Sequence, residues 1–443
     1  MPVSEQSILL YSTKVTPRLL YTCTLLFKEL LHLDIEITTD KETFLKEQGA
    51  KINYSRQQFS DEVFINASPL LFEQTISSQK IELTEWNNCK IFFLSPQKAA
   101  LPYDPLAAAF YLVSRYEEYL PYHPDKYGRF KAEDTLAFKN DFLKTPVVNN
   151  YALHLKIVLQ KHFAHLRFSK NKFQFLLTYD IDQAYAYKEK GLVRNAGSLL
   201  RSLIKGDTKT IGQRLAVLQH KTADPFDTFD QQLELHKKLS IQPRYFFLLG
   251  NYNKFDNNIN WHNAPLQKLI KQLSSHYSVG IHLSKKTNAK PQQIPKEINR
   301  LETITGKKIT ANRQHFLMLK FPDTYEHLIA NGITEDYSMG FSSQIGFRAG
   351  IASPFYFYNL KKEEQTPLKI YPFAVMDATL FYYLNYSADI ALEQTLSLIN
   401  EVKKNNGLFV FLAHNDLLNN TVSREGWFTN FNKILHYGKS LEQ

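Results

Sequence analysis

From Phe173 onward, short apolar runs alternate with amphipathic stretches, and this rhythm restricts the chain's fold more than any other feature. Runs such as Phe173–Thr178, Arg244–Gly250, Val279–Ile281 and Ile309–Arg313 have the length and composition of buried strands. Helical patterns follow them over about Ala264–His276, Pro295–Thr305 and Thr324–Asn331, the last stopped by Gly332. Leu368–Tyr371 and Leu408–Ala413 read as later strands, and a polar insertion near Gly206–Asp224 interrupts the helical stretch after the first. Strand then helix, repeated, is the signature of parallel βα units, so the expected class is α/β. About seven units in this half point to a (β/α) barrel, possessed in incomplete form.

The first part of the chain alternates strands and helices as well, with strands at Ile8–Tyr11, Ile35–Ile37, Lys51–Tyr54, Val63–Asn66 and Ile91–Leu94 and an amphipathic stretch over Arg18–Leu31. Asp104-Pro105 then opens a helix, Asp as N-cap and Pro in the first turn, expected to run to Leu120 and stop at Pro121. A loop over Pro121–Pro146 and a helix over about Tyr151–His162 lead to the polar joint Ser169-Lys170-Asn171-Lys172. The reading is therefore an N-terminal α/β accessory domain over residues 1–168 and a (β/α) barrel domain over 169–443.

Several classes drop out. A chain with 44% hydrophobic residues and only 16 Gly is neither disordered nor collagen-like. Two cysteines, Cys23 and Cys89, cannot make a disulfide framework or a thiolate zinc cage. No run has the roughly 18–20 apolar residues of a membrane-spanning helix. Leu19–Leu31 lacks the basic flank and small-residue cleavage site of a signal peptide, so the expected location is cytoplasmic. The net charge of +10 is spread over isolated pairs such as Lys285-Lys286 and Lys403-Lys404, with no nucleic-acid-binding signature, so no nucleic-acid partner is expected. Oligomeric state leaves no signal in the sequence.

Chemistry-bearing side chains gather where the expected strands end. Asp180 and Asp182 follow the first strand, His282 the third, Arg313 and His315 the fourth, and His414 and Asp416 the last. In (β/α) barrels the C-terminal strand ends converge on one mouth, where catalytic groups sit. Two-residue spacing in extended backbone turns both members of each pair to one face. Two imidazoles and one carboxylate suffice for a divalent metal with an open position.

At these residues the chain resembles the polysaccharide deacetylase family (carbohydrate esterase family 4, NodB-like). Thr178-Tyr179-Asp180-Ile181-Asp182 looks like its first motif, with a residue inserted between the aspartates. Gly280-Ile281-His282-Leu283-Ser284 looks like the second, Arg313-Gln314-His315-Phe316-Leu317 like the third and Phe411–Asp416 like the fifth. Asp336–Gly340, Gly346–Gly350, Asp104–Leu120 and Gly128-Arg129-Phe130 resemble segments of a bacterial subgroup with an extra N-terminal domain. The family's second motif has two histidines four residues apart, whereas here position 286 is Lys.

The resemblance implies metal-dependent removal of an N-acetyl group from a sugar or glycan. Asp182, His282 and His315 would hold Zn²⁺ or a similar divalent ion. Asp180 would be general base, Arg313 would hold it, and His414 would protonate the leaving amine. Asp416 and Asp377 are read as supporting carboxylates, Asp416 orienting His414. Tyr337 and Arg348 are read as substrate-binding, with a structural ion pair as the equal alternative for Arg348. Two other readings share the scaffold: a catalytically degenerate glycan-binding member, and a hydrolase of another non-peptide C–N bond.

Overall fold

The computed structural model describes residues 7–169, 171–419 and 426–442, so Lys170 at the expected joint lies outside the described residues. Among the described residues the chain builds one parallel sheet, one larger, mostly parallel sheet and one small hairpin. The first sheet holds β1 (Ser7–Ser12), β2 (Asp34–Thr38), β3 (Ala50–Ser55) and β4 (Val63–Asn66) in the order β2-β1-β3-β4, every pairing parallel. The hairpin pairs β5 (Leu83–Trp86) with β6 (Cys89–Phe92). It turns on Asn87 and Asn88, both with positive φ, as a two-residue hairpin turn requires.

The second sheet contains β7 (Gln174–Ile181), β8 (Arg244–Leu248), β9 (Ser278–Leu283), β10 (Ala311–Gln314), β11 (Glu335–Asp336), β12 (Phe355–Asn359), β13 (Glu364–Ile370), β14 (Val375–Met376) and β15 (Leu408–His414). Its order is β12-β13-β11-β10-β9-β8-β7-β15-β14, parallel throughout except for the β12–β13 hairpin. β12 and β14 are the two ends of this ladder. The α/β class with parallel strands stands, and among the described residues the nine strands form one ladder whose end strands do not pair with each other. β11 and β14 are two residues each, too short for periodicity to reveal.

The helix opened by Asp104 is Pro105–Val113, with the Asp104 carboxylate accepting from the N–H of Leu106 and Ala107. It does not continue to Leu120. Arg115 takes a left-handed conformation at φ 55°, and a 3-10 turn follows over Tyr116–Tyr119. The break lets Arg115 and Glu118 turn inward together. Glu118 accepts from Arg115 Nε at 2.8 Å and from Arg348 Nη2 at 2.5 Å and Nε at 2.9 Å, and Arg115 Nη1 donates to the Arg348 carbonyl. All three side chains are buried. Arg18, fully buried, makes a similar tie to Glu363 through Nε and Nη2. Charges taken this far out of water persist only when paired and hydrogen-bonded. One continuous apolar core joins the two parts, running from Ile8 through Phe110 and Val148 to Phe355 and Leu435.

Removing the acid between two buried guanidiniums leaves Arg348 without a counter-charge and Arg115 with Glu117 alone, at 3.6 Å. Glu118→Ala is expected to cost about 3–5 kcal/mol of unfolding free energy. Chemical denaturation followed by circular dichroism measures it, and a loss below about 1 kcal/mol would contradict the pairing described.

Candidate functional site

The strand ends of β7, β9, β10 and β15 meet around one cavity of about 190 Å³, lined among others by Asp180, Asp182, His282, His315 and His414. Parallel pairing explains the convergence. Asp180 lies in register with His414 on one side and Phe246 on the other, and His282 lies beside Arg313. Gly280 lies beside Phe246, where a Cβ would sit 2.5 Å from the Phe246 ring and 2.8 Å from the Ala311 carbonyl. Glycine is thus demanded here by close packing. The Phe246 ring in turn supports the Arg313 guanidinium at 4.7 Å.

Arg313 is wholly buried and reaches across β9 and β8 to β7. Its Nη1 donates to Asp180 Oδ1 at 3.0 Å and to Thr178 Oγ1 at 2.9 Å, and its Nε donates to the Tyr337 carbonyl at 2.9 Å. Its own carbonyl accepts from His282 Nδ1 at 2.9 Å. One residue therefore aims a carboxylate with its side chain and an imidazole with its backbone.

Asp182, His282 and His315 each offer one ligand atom, all within 4.8 Å of one another. Asp182 Oδ1 lies 3.1 Å from His282 Nε2, and Oδ2 lies 3.5 Å from His315 Nε2. Both imidazoles carry their Nδ1 protons away from this point. That of His282 goes to the Arg313 carbonyl, and that of His315 to Asp256 Oδ1 at 2.8 Å. Both Nε2 atoms are thereby presented as ligands, in the carboxylate–histidine–metal manner at His315. Asp182 Oδ1 has almost no accessible surface and no hydrogen-bond donor. An orphaned buried carboxylate oxygen beside two Nε2 atoms is a donor set that fits a divalent cation with an open position. Burial raises the Asp182 carboxyl, but His315 and His282 hold it well below the usual carboxylate range. Burial likewise opposes charge on His315, yet Asp182 and Asp256 lift it to about 9.

Asp256 was not legible as a site residue. It is fully buried in the loop after β8, where Asn253 Nδ2 and the Lys285 N–H also donate to it. Asn253-Lys254-Phe255-Asp256, a polar turn at a strand end, is the only signal that marked it. Lys286, where the resembled motif carries its second histidine, is exposed on the short helix Lys285–Ala289.

His414 does not pair with Asp416. β15 ends at His414 and a 3-10 turn over Asn415–Leu417 follows, so the alternation that would put the two on one face stops there. The partner is Asp377, just past β14, whose Oδ1 accepts from His414 Nδ1 at 2.7 Å and whose Oδ2 accepts from the His414 N–H at 2.6 Å. Burial lowers the imidazole, but Asp377, then Asp182 and Asp180, raise it to about 10. Asp416 lies on the turn, its carbonyl accepting from Asn419.

Arg348 and Tyr337 are both buried, and Arg348 lies on the wall of a neighbouring cavity with Arg129, Leu317, Ser342 and Tyr383. Arg348 is 3% exposed and committed to Glu118 and the Gly340 carbonyl. Tyr337 is 2% exposed, stacked on Tyr371 at 4.6 Å, its hydroxyl donating to Glu335. The aromatics that line the cavity are Tyr382, Tyr383 and Phe316. Phe316 and Leu317 both adopt positive φ, 62° and 54°, in the tight turn that follows His315. Strained backbone of this kind recurs where a site over-determines it. Arg129, from the first part of the chain, donates to the Phe316 carbonyl at 3.1 Å and forms part of the cavity wall.

Residues 8–164 match a family of unknown function, DUF7033. No curated protein matches the chain. Among solved structures, one from Mycobacterium smegmatis, provisionally named a polysaccharide deacetylase, is 12% identical with a TM-score of 0.39, covering 62% of this chain and 87% of that one. Another, provisionally given the same name, from Pseudomonas aeruginosa PAO1, is 10% identical with a TM-score of 0.39, covering 60% and 85%. A carbohydrate esterase family 4 pseudoenzyme from Bacillus anthracis is 12% identical with a TM-score of 0.26, covering 62% and 67%.

The geometry makes Asp256 the residue that aims His315. If the triad holds a divalent cation such as zinc, Asp256→Asn is expected to weaken that affinity about 10–100-fold, as losses of such supporting carboxylates do. Competition with a chromogenic chelator reads the affinity. Equal affinity in the variant would show that His315 needs no such support.

Proposed function

We propose that this protein is a metal-dependent hydrolase that removes an N-acetyl group from a sugar or glycan. The single observation that carries the reading is the orphaned Asp182 Oδ1 beside two imidazoles whose Nε2 atoms are already turned toward it. Around it stand a carboxylate held by Arg313 and a histidine held by Asp377, both on the same cavity.

Asp182, His282 and His315 would hold the divalent ion, zinc by the nature of the donors. Such an ion, when bound, supplies Lewis-acid activation of the acetyl carbonyl and of the attacking water. Asp180, 3.7 Å from His282 Nε2, is placed to take a proton from that water as it attacks the carbonyl carbon. Arg313 keeps Asp180 aimed by a charge-assisted hydrogen bond. His414, with Nδ1 bound to Asp377, presents Nε2 to the departing nitrogen and donates its proton as the C–N bond breaks. Acetate and a free amine result. Tyr382 and Tyr383, 58% and 44% exposed at the cavity rim, provide the apolar ring faces on which a sugar would rest.

The test is acetate release from N-acetylated sugars and oligosaccharides, with and without chelator. Asp180→Asn and His282→Ala are each expected to lower kcat/KM by at least about 100-fold, the usual scale for a lost general base. Zinc added after chelation should restore the wild-type protein alone. Zinc bound at the stated triad with no acetate released would instead favour the glycan-binding reading.

A second prediction concerns pH. A general acid must be protonated, so activity falls as pH rises through the His414 pKa, which Asp377, with Asp182 and Asp180, lifts to about 10. Asp377→Asn removes the main raising influence, and the alkaline limb of the kcat profile is expected to move to lower pH. An unmoved limb would remove His414 from the acid role.

A further inference from the structure

The helix Gly191–Ile204 is turned inside out. Two of its polar residues face the protein: Arg194 donates to the carbonyls of Asn257 and Asn258, and Asn195 donates to the Tyr187 carbonyl and accepts from Arg214. Its apolar residues face outward. Leu192 is 89% exposed, Val193 86%, Leu200 60%, Leu203 62% and Ile204 79%. Their spacing, with Ala196 between, follows the helical repeat, so they form one stripe along about 21 Å of helix. Scattered exposed leucines are ordinary on a protein surface, but a contiguous stripe of this kind marks an interaction site.

What the stripe meets follows from its surroundings. Arg201, Lys205 and Lys209 are exposed at its C-terminal end, with Asp207 the one acid among them. At its N-terminal end a cavity of about 760 Å³ is lined by Lys190, Arg194, Arg300, Tyr252 and Trp261, with Glu189 on the wall. Cations at both ends of an aliphatic stripe, with Tyr and Trp beside them, are the composition that binds in the headgroup region of a bilayer. A second copy of the chain, met with its helix parallel, would set Arg201, Lys205 and Lys209 against their own counterparts. No described helix is long and apolar enough to cross a membrane, so the stripe can only lie along one.

We propose that the outward apolar face of the helix Gly191–Ile204 docks this protein on an anionic lipid surface, lying in the plane of the interface. Arg201, Lys205 and Lys209 then meet lipid phosphates while Leu200, Leu203 and Ile204 enter the acyl boundary. Lys190, at the start of the helix, donates to Gln183, next to Asp182, so docking would hold the candidate site near the bilayer. The proposal stands independently of the hydrolase reading.

The test is flotation of the full chain with vesicles of phosphatidylcholine alone and of phosphatidylcholine mixed with phosphatidylglycerol. The protein is expected to float with the anionic vesicles, far less with the neutral ones, and to be released as salt is raised. The double variant Leu200→Glu/Leu203→Glu should lose at least tenfold in apparent partitioning. Both side chains are exposed, so its circular dichroism and Tm should match the wild type. Lys205→Glu/Lys209→Glu should weaken anionic binding alone. Wild-type protein that stays unbound with both vesicle types, or a Leu200→Glu/Leu203→Glu variant that floats as well as wild type, would overturn the proposal. So would a wild-type dimer in sedimentation equilibrium that the same variant splits, with no vesicle binding, since the stripe would then join two copies.

Discussion

The candidate site depends on one buried guanidinium. Arg313 has no contact with solvent, so its charge must be met inside the protein, and the partners that meet it are parts of the site. Asp180 takes the charge, Thr178 and the Tyr337 carbonyl take further N–H groups, and Phe246 offers its ring face. The Arg313 carbonyl meanwhile sets the direction of His282. Removing that side chain would leave Asp180 as a buried carboxylate without a counter-charge. It would also loosen β7 against β10, strands that do not pair with each other.

Two other histidines are aimed on the same plan with different partners. His315 is oriented by Asp256 and His414 by Asp377, each through Nδ1, so three imidazoles present Nε2 toward one small volume. The carboxylates that orient them are themselves tied down, Asp256 by Asn253 and Lys285 and Asp377 by the Ala378 N–H. Fixing both the rotamer and the tautomer removes the reorganisation that a bound ion or a reacting group would otherwise require.

The first part of the chain belongs to this arrangement through packing. Its Glu118 neutralises Arg348, and its Arg129 supports the turn that carries Phe316. An apolar core common to both sheets makes that wall stiff. The long polar connection after β7 contrasts with it. There the helix Gly191–Ile204 turns polar groups inward and aliphatic ones outward, a cost that a purely self-contained protein has no reason to bear.

Much of this was written locally. The strands β7, β8, β9 and β15 stand out as apolar runs bounded by polar residues, and the helix after Asp104 announces its own cap. That Asp180, Asp182, His282, His315 and His414 sit at strand ends follows from chain order alone, because strand boundaries are local. Pairings between distant segments are not local. Asp256 in a loop, Asp377 beyond a two-residue strand, and the choice of Asp377 over Asp416 depend on which strand lies beside which. Arg348 and Tyr337 look like ligand-binding residues in a linear string, and only the tertiary structure ties Arg348 to Glu118 and stacks Tyr337 on Tyr371. Sequence carries the period and punctuation of each element, set by backbone geometry over a few residues. Tertiary structure decides which charges share a low-dielectric space, since that is settled by long-range burial.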